Sequence, residues 1–214
     1  MPSKYLIRDF KKDGIYHIFN QGVDSRKVFV DDEDYNLFLY YLYIYLTPLE
    51  KVLRRYHSLP IRLFNKNLAK KVSLLSFVLM PDHFHLILRQ EDADGISQFM
   101  KQLSNAYTQY FNHKYKRRGS LFEGSFKSIS IKNNDILMQF SRFVHLHPVV
   151  ENIANEPEYA WSSYNEYADL TTQSLCNTQR ILSLFPSVYA YKKYVHDQKE
   201  YGKKLHEIAS IIIE

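Results

Sequence analysis

Two histidines that are one residue apart give this sequence its sharpest chemical signal. His83 and His85 flank Phe84 in the segment His83-Phe-His-Leu-Ile-Leu-Arg89, whose apolar residues are typical of a strand. Side chains alternate between the two faces of a strand, so both imidazoles project from one face and Phe84 from the other. This spacing allows the two rings to bind one divalent metal ion. A histidine pair alone is a weak signal, because such short patterns also arise from packing.

The pair lies in the third of four predicted strands. Their ranges are 14–21, 72–80, 83–89 and 126–131. Helices alternate with these strands, and no run of parallel βα units occurs. The pattern therefore predicts an α+β fold, namely a ferredoxin-like antiparallel sheet with helices on one face.

Polar residues mark where the three long helices begin. The acidic run Asp31-Asp-Glu-Asp34 should open the first helix, where the helix dipole favours negative charge. The expected N-terminal caps of the other two are Asp94, and Asn134 or Asp135, since such side chains accept hydrogen bonds from free backbone N–H groups. The first helix should end before Pro48. The last should end at Pro148, because proline has no N–H to continue the helix.

The length of 214 residues suits one domain with a small extension. We expect a domain at 1–168 with a basic, partly helical insertion at 47–71, and a mainly helical C-terminal extension at 169–214. That extension should contain a helix at 181–200 and an apolar tail at 208–213. A single cysteine excludes an internal disulfide and a multi-cysteine zinc site. Neither a signal peptide nor a bilayer-spanning segment is visible, so we expect a cytoplasmic protein without a membrane partner.

Five segments form an ordered set around the histidine pair. They are Tyr16-His-Ile-Phe-Asn-Gln-Gly22, Val78-Leu-Met-Pro-Asp-His-Phe-His-Leu-Ile-Leu88, Tyr107-Thr-Gln-Tyr-Phe-Asn112, Gly119-Ser-Leu-Phe-Glu-Gly-Ser-Phe-Lys-Ser128 and Val144-His-Leu-His-Pro-Val-Val150. Together they closely resemble the REP-associated tyrosine transposases, a family of HUH-type transposases that act on single-stranded DNA. The resemblance extends from about residue 16 to residue 167.

The resemblance implies metal-dependent nicking and rejoining of single-stranded DNA. In that family the two strand histidines, which match His83 and His85, hold Mg²⁺ or Mn²⁺. A helix tyrosine attacks phosphorus and forms a 5′-phosphotyrosine, and a polar residue one helical turn later completes the metal site. The expected substrate is a DNA hairpin with a flanking single-stranded sequence. Family members occur as monomers and as homodimers.

The segment Phe143-Val-His-Leu-His-Pro148 departs from the family pattern, which resembles Tyr-Ile-His-Leu-Asn-Pro. Phe143 stands at the position of the nucleophilic tyrosine, and a phenyl ring has no oxygen with which to attack phosphorus. His147 stands at the position of the metal-binding amide and still offers a nitrogen. The prediction is a site of three imidazoles, from His83, His85 and His147, which would favour Mn²⁺, Zn²⁺, Co²⁺ or Ni²⁺ over Mg²⁺.

Phe143 has three explanations that the sequence leaves open. The chain is an engineered Tyr-to-Phe form, or a natural protein that kept DNA binding and lost cleavage, or it uses another tyrosine. Tyr107 and Tyr110 are the candidates for the third, although both lie on the apolar stripe of a helix, where packing is the commoner role. His17 lies on the first strand, where it either supports the metal site or is an ordinary sheet residue, the commoner role. His145 lies off the apolar stripe and is expected to be a surface or packing residue.

Positive charge is concentrated in the 47–71 insertion and in the stretch 114–127, within a formal net charge of +5. Aromatic residues alternate with the basic residues in both places, which suits unpaired bases that stack on rings. The expected DNA contacts are Arg54, Arg55, Lys114, Lys116, Arg117, Arg118 and Lys127.

Three other function classes fit parts of the pattern. A repressor or hairpin-binding protein without chemistry is favoured by Phe143. A metal hydrolase would need a carboxylate base, for which Asp82 and Glu123 are the candidates near these segments. An RNA-binding module would need paired aromatic segments on adjacent strands, and no clear pair is present.

Overall fold

A computed structural model describes residues 10–92, 94–172 and 174–197 of the chain. Four strands and eight helices account for the regular structure of these residues. In chain order they are β1 (Ile15–Gln21), α1 (Asp32–Leu46), α2 (Leu49–Arg55), α3 (Ile61–Phe64), β2 (Val72–Leu79), β3 (His83–Gln90), α4 (Gly95–Lys114), β4 (Lys127–Ile131), α5 (Asn134–Val150), α6 (Tyr164–Tyr167), α7 (Gln179–Leu182) and α8 (Val188–His196).

The four strands form one sheet in the order β2-β3-β1-β4. Every neighbouring pair is antiparallel, and β1 lies between β3 and β4. This is the strand order of a ferredoxin-like βαββαβ unit. The predicted α+β fold class is confirmed.

Helices cover both faces of this sheet. The ring of Phe84 contacts Phe38 of α1, which in turn contacts Tyr107 of α4, so α1 and α4 share one face. On the other face, Phe140 and Phe143 of α5 contact His17 and His85, respectively. The prediction named helices on one face; α5 adds a third layer, because the alternate residues of β1 and β3 are also apolar or aromatic and need cover.

The start of α1 follows the prediction. Asp31 accepts a hydrogen bond from the backbone N–H of Asp34, and the side chain of Asp34 accepts one from the N–H of Asp31. This reciprocal capping box satisfies two N–H groups that the helix itself leaves free. The helix ends at Leu46, before Pro48, as expected.

The start of α4 differs from the prediction. Asp94 occupies the N-cap position, but its backbone is left-handed (φ 60°) and its side chain makes no capping hydrogen bond. Gln90, at the end of β3, caps the helix instead, since its Oε1 accepts from the N–H of Ile96 at 2.9 Å. A residue at the end of the preceding strand, four positions before Asp94, thus replaces the local cap.

Both ends of α5 also differ from the prediction by a few residues. Asn133, not Asn134 or Asp135, is the N-cap, and its side chain accepts from the N–H of Ile136. The helix continues through Pro148 to Val150. Proline is tolerated there because, within the last turn, it removes a single backbone hydrogen bond.

The C-terminal extension packs against α5 rather than forming a separate layer. The predicted helix at 181–200 is interrupted, with α7 ending at Leu182 and α8 beginning after Ser187, which caps it. Pro186 precedes this cap and breaks the helical run. The end of that predicted helix and the apolar tail at 208–213 lie outside the described residues. The boundary between 1–168 and 169–214 stays a prediction.

The 47–71 insertion is partly helical, as expected, because it contains α2 and α3. Asn67 attaches it to α1, since its side-chain amide donates to the carbonyl oxygens of Ile44 and Thr47 at 2.6 and 2.7 Å.

A buried carboxylate links α1 to α4. Asp34 is fully buried and accepts hydrogen bonds from the N–H of Val30 and from Tyr110, Lys114 and Tyr115. Lys114 also pairs with Asp31 and Glu33. This cluster holds together two helices whose contacting residues are about 80 positions apart.

We expect Asp34→Ala to lower the free energy of unfolding by about 3 kcal/mol, because removing one partner of a buried ion pair leaves the others unsatisfied. The matched control is Asp32→Ala, which removes an exposed carboxylate from the same helical turn and should change stability little. Urea denaturation followed by circular dichroism measures both. An equal loss in the two variants would contradict the role of the buried cluster.

Candidate metal centre and nucleic-acid interface

Three imidazoles converge on the α5 face of the sheet. His83 and His85 come from β3 and His147 from α5, and one ring nitrogen of each lies within 4.8 Å of those of the other two. His85 and His147 are buried and His83 is half-buried. The sequence prediction that these three side chains lie close together is confirmed.

The sheet register and the helix period bring these rings together. His85 lies opposite Phe19 and His83 opposite Gln21 in the β1–β3 ladder, so both rings stand on the same face. His147 follows Phe143 by four residues, which places both side chains on one side of α5. Because α5 packs across β2, β3 and β4, that side faces the strand histidines.

Hydrogen bonds fix the orientation of each imidazole. Nδ1 of His83 lies 2.6 Å from a carboxylate oxygen of Asp82, and Nδ1 of His85 lies 2.9 Å from Nε2 of His17. Nε2 of His83 is 2.8 Å from Nε2 of His147. The sequence left His17 either as a support of the metal site or as an ordinary sheet residue, and its place beside His85 favours the first role.

The donor set fits a divalent metal ion. The Asp82 carboxylate can only accept, so His83 carries its proton on Nδ1 and presents a lone pair at Nε2. The neighbouring Nε2 of His147 points at the same place, and among the described residues the buried Nδ1 of His147 has no hydrogen-bond partner. In the metal-free site an Nε2–H of His147 can donate to the lone pair of His83, and a divalent ion can replace that proton and bind both nitrogens.

Burial keeps the rings of His85 and His147 neutral, as metal ligation requires. It lowers the pKa of His147 to about 3, with a further contribution from His83. It also lowers the pKa of His85 well below its ordinary value, and His147, His17 and His83 add to this effect. His17 behaves similarly, with a pKa lowered to about 3 by burial and by the nearby His147.

Phe143 lies against this cluster. Its ring centroid is 4.9 Å from that of His147 and 5.2 Å from that of His85. Among the described residues, the ring contacts of the three imidazoles involve one another, His17, Phe19 and Phe143, and include no tyrosine.

The two alternative tyrosines lie on the other side of the sheet, on α4. Tyr107 is fully buried, and its hydroxyl donates to the carbonyl oxygen of Val28 at 2.6 Å. The hydroxyl of Tyr110 donates to Asp34 at 3.0 Å. Burial raises the pKa of both phenols. Their positions in the structure therefore favour the packing role over a nucleophilic one.

His145 is a core residue that sequence reasoning undervalued. It is fully buried, and its ring nitrogens lie 2.6 Å from the hydroxyl of Tyr191 on α8 and 2.8 Å from that of Ser163. These contacts attach α5 to the C-terminal helices two residues before His147. Helical periodicity placed His145 off the apolar stripe. Its burial follows from the positions of α6, whose Tyr164 and Tyr167 contact the ring, and of α8.

The predicted basic residues near the cluster flank the loop 119–126. Lys116 and Arg118 are exposed, while Arg117 and Lys127 are half-buried. The loop is attached beside the cluster, because Glu123 hydrogen-bonds Gln21, the residue opposite His83. Glu123 is thus engaged in holding the loop. Asp82, the other proposed carboxylate base, is engaged with His83.

Lys114 is a correction to the predicted DNA-contacting set. Its ammonium group pairs with the carboxylates of Asp31, Glu33 and Asp34 at 2.7 to 2.9 Å. Its positive charge is therefore neutralised within the protein. Arg26 is an addition that sequence reasoning missed. Burial lowers the pKa of Arg117, and the positive charge of Arg26 lowers it further.

Arg54 and Arg55 lie elsewhere, at the end of α2. Both are exposed, and the guanidinium of Arg55 lies over the rings of Tyr43 and Tyr56, at 5.0 and 5.8 Å from their centroids. The insertion thus presents basic groups beside aromatic rings.

Comparison with known proteins shows a similarity to transposases. The family model described as "Transposase IS200 like" matches residues 50–146, just under half of the chain. A solved structure of a REP-associated tyrosine transposase bound to a REP hairpin is similar in fold, with a TM-score of 0.51 and 14% sequence identity over 78% of this chain and 87% of that one. The resemblance to transposases that the sequence indicated is confirmed.

A second solved structure, a transposase-type protein from Deinococcus radiodurans R1, aligns less well. Its TM-score is 0.37, with 16% identity over 68% of this chain and 94% of that one. No curated protein sequence matches the chain. Within the described residues, no helix is both long and apolar enough to cross a membrane.

We expect the metal-free protein to lose stability as the pH falls from about 6.5 towards 3. The unfolded chain takes up protons at its histidines near pH 6.5, while His17, His145 and His147 have pKa values lowered to about 3 in the folded state, so protons favour unfolding in this range. Above about pH 6.5 the stabilisation is fully present. Urea denaturation in a chelator at several pH values measures the slope.

The slope should be smaller in His17→Asn, which removes one buried imidazole. The matched control His113→Asn replaces an exposed histidine of α4 and should leave the slope unchanged. A free energy of unfolding that stays constant between pH 6.5 and 4 would contradict the burial of neutral imidazoles at this site.

Proposed function

We propose that this chain binds single-stranded or hairpin DNA at a transposase-type metal centre and forms no phosphotyrosine. One observation carries the proposal: an otherwise complete cluster of His83, His85 and His147 has a phenyl ring, that of Phe143, at the position of the nucleophile. The scaffold supports recognition of DNA, but position 143 offers no oxygen to attack phosphorus.

His83, His85 and His147 would hold the divalent ion. A set of three imidazoles suits Mn²⁺, Zn²⁺, Co²⁺ or Ni²⁺ better than Mg²⁺. When bound, the ion neutralises charge on a phosphate of the DNA backbone. Asp82 orients the ring of His83, and His17 orients that of His85, each through a hydrogen bond to Nδ1. Such supporting groups commonly contribute about tenfold or more to metal affinity.

The basic residues around the loop 119–126 form the proposed DNA-binding surface. This surface consists of Lys116, Arg117, Arg118, Lys127 and Arg26. Lys114 is left out because its charge is neutralised by three carboxylates. The transposase of similar fold is bound to a REP hairpin, and we propose a DNA hairpin with an adjacent single strand as the partner of this chain as well. A cytoplasmic location agrees with that partner.

A single chain suffices for this site. His147 and Phe143 pack against the strand histidines of their own sheet, and the Tyr191–His145 hydrogen bond holds α5 there. We therefore propose that a monomer binds the ion and the DNA. A homodimer would use the same site twice.

A second candidate function is DNA strand cleavage and rejoining, for which the single substitution Phe143→Tyr would supply the nucleophile. It is favoured by the position of Phe143, whose ring already contacts two of the three imidazoles. If the chain is the Tyr-to-Phe form of an active enzyme, the rest of the site should still be competent for cleavage.

We expect the chain to bind hairpin DNA with an affinity that falls steeply as the salt concentration rises, since phosphate neutralisation releases counterions. Charge reversal in Lys116→Glu/Arg118→Glu should weaken binding equally across sequences and reduce the salt slope by about 1 for each phosphate that the variant no longer neutralises. Lys192→Glu/Lys193→Glu on α8 makes the same change in net charge and is the matched control. Equal weakening by the two double variants would contradict the proposed surface.

We expect Phe143→Tyr to form a covalent protein–DNA adduct with a labelled hairpin oligonucleotide and Mn²⁺, whereas the unmodified chain forms none. The new hydroxyl would lie on the side of α5 that faces the cluster, and a partly polar environment accommodates one added oxygen at little cost. Denaturing gel electrophoresis detects the adduct. Loss of the adduct in His83→Ala/Phe143→Tyr would show that it depends on the metal centre.

An adduct formed by the unmodified chain would contradict the proposed absence of a nucleophile. Failure of Phe143→Tyr to cleave any oligonucleotide, together with normal hairpin binding, would favour a protein that binds DNA without cutting it.

A further inference from the structure

A cleft of about 710 Å³ lies on the sheet face opposite the three-histidine cluster. It is bounded by α1, by the end of α2 and by residues 158–172 and 174–175, and Phe77 of β2 contributes to its lining. Phe77 pairs with Leu86, which alternates with His85 along β3, so it points away from the cluster. The volume is in the range, about 300–1,000 Å³, of clefts that enclose small-molecule ligands.

One wall of this cleft is aromatic and carries a positive charge. Tyr40, Tyr43 and Tyr56 line it, and their rings pack edge to face rather than filling the space between them. The guanidinium of Arg55 lies over two of these rings. Arg54 is exposed in the same helical turn. Such a wall offers flat surfaces for a planar ring and cations for a phosphate at the rim.

The opposite wall supplies hydrogen-bond acceptors. Glu166 lines the cleft, and one of its oxygens, Oε2, accepts from the N–H groups of Leu175 and Cys176 at 2.9 Å each. Its Oε1 has no hydrogen-bond partner within the part of the chain that the structure describes. Burial raises the pKa of this carboxyl, although the two N–H groups lower it. The side-chain amide of Asn165 also lines this wall.

We propose that this cleft binds a nucleobase that carries an exocyclic amino group, stacked on the tyrosine wall, with the amino group donating to Glu166. Adenine, cytosine and guanine offer such a donor and thymine does not. Arg55, assisted by Arg54, would neutralise the attached phosphate. The base comes either from a free nucleotide or from an unpaired position of bound DNA; only the second source rests on the proposed function.

The cleft is built mainly by parts of the chain outside the matched family segment. The tyrosines of α1 precede residue 50, and residues 158–172 and 174–175 follow residue 146. Its binding capacity is therefore mainly a property of this chain's own helix α1 and of the residues that follow α5. It lies on the other side of the sheet from the cluster and can be tested without metal.

The chain's single tryptophan provides a local signal. Trp161 lies between Ala160 and Ser162, which both line the cleft, and it stacks on Tyr35. The test titrates the full-length protein, in a chelator, with the 2′-deoxynucleoside 5′-monophosphates of adenine, cytosine, guanine and thymine. Tryptophan fluorescence and isothermal titration calorimetry follow binding. We expect the three amino-bearing nucleotides to bind more tightly than the thymine nucleotide.

Three variants assign the binding to the cleft. Tyr40→Ala should weaken the binding of every nucleotide by about tenfold or more, because it removes a stacking surface. Glu166→Gln should abolish the preference for amino-bearing bases. Arg55→Ala, at an exposed position where folding is not at risk, should weaken the binding of nucleotides. It should leave the affinity for the matching nucleosides, which carry no phosphate, unchanged. Tyr189→Ala, which removes an exposed ring on α8, is the matched control and should change nothing.

Oligonucleotides distinguish the two sources of the base. If the base belongs to DNA, hairpins with one unpaired adenine in the stem should bind more tightly than fully paired hairpins. Tyr40→Ala should then remove that difference in affinity. If free nucleotides bind but the two hairpins behave alike, the ligand is a free nucleotide. Two results would overturn the proposal. The first is that no nucleotide binds and the two hairpins bind equally well. The second is that nucleotides bind but Tyr40→Ala and Arg55→Ala leave their affinity unchanged. Whether or not the cleft binds a base, the proposed function still predicts hairpin binding that weakens as the salt concentration rises.

Discussion

The packing of α5 against the β1–β3 strands is the interaction on which the rest of the site depends. It brings His147 and Phe143 onto the face where His83 and His85 project, and it buries His17 beneath them. The two strand histidines alone could be a surface pair. Only the third layer of the fold makes a neutral, partly enclosed cluster of three imidazoles from them.

That packing is itself held by the C-terminal extension. Tyr191 of α8 and Ser163, just before α6, bind the ring of His145, which lies on α5 between Phe143 and His147. A shift of α5 by one residue would break these hydrogen bonds and move His147 away from His83. The extension therefore holds α5, the helix that carries the site, in place. Residues at the start of the extension also line the cleft that contains Tyr40, Tyr43 and Tyr56.

Local patterns in the sequence predicted the sheet, its hairpin and the close approach of His83, His85 and His147, because strand alternation and the helical turn are short-range periodicities. They could not predict contacts between distant segments. Lys114 looked available for DNA until α1 supplied three carboxylates, and Gln90 replaced Asp94 as a cap from the end of a strand. His145 looked peripheral because α8, which buries it, begins more than 40 residues later.

The most direct test of this account is a calorimetric titration of the chelator-treated protein with Mn²⁺, Zn²⁺ and Co²⁺. The account predicts one ion per chain, with at least a tenfold loss of affinity in His83→Ala, His85→Ala and His147→Ala and no loss in His113→Ala. Because the three imidazoles of one cluster would share the ion, removing any one of them should weaken binding. Undiminished binding by His147→Ala, or no binding by the unmodified chain, would contradict it.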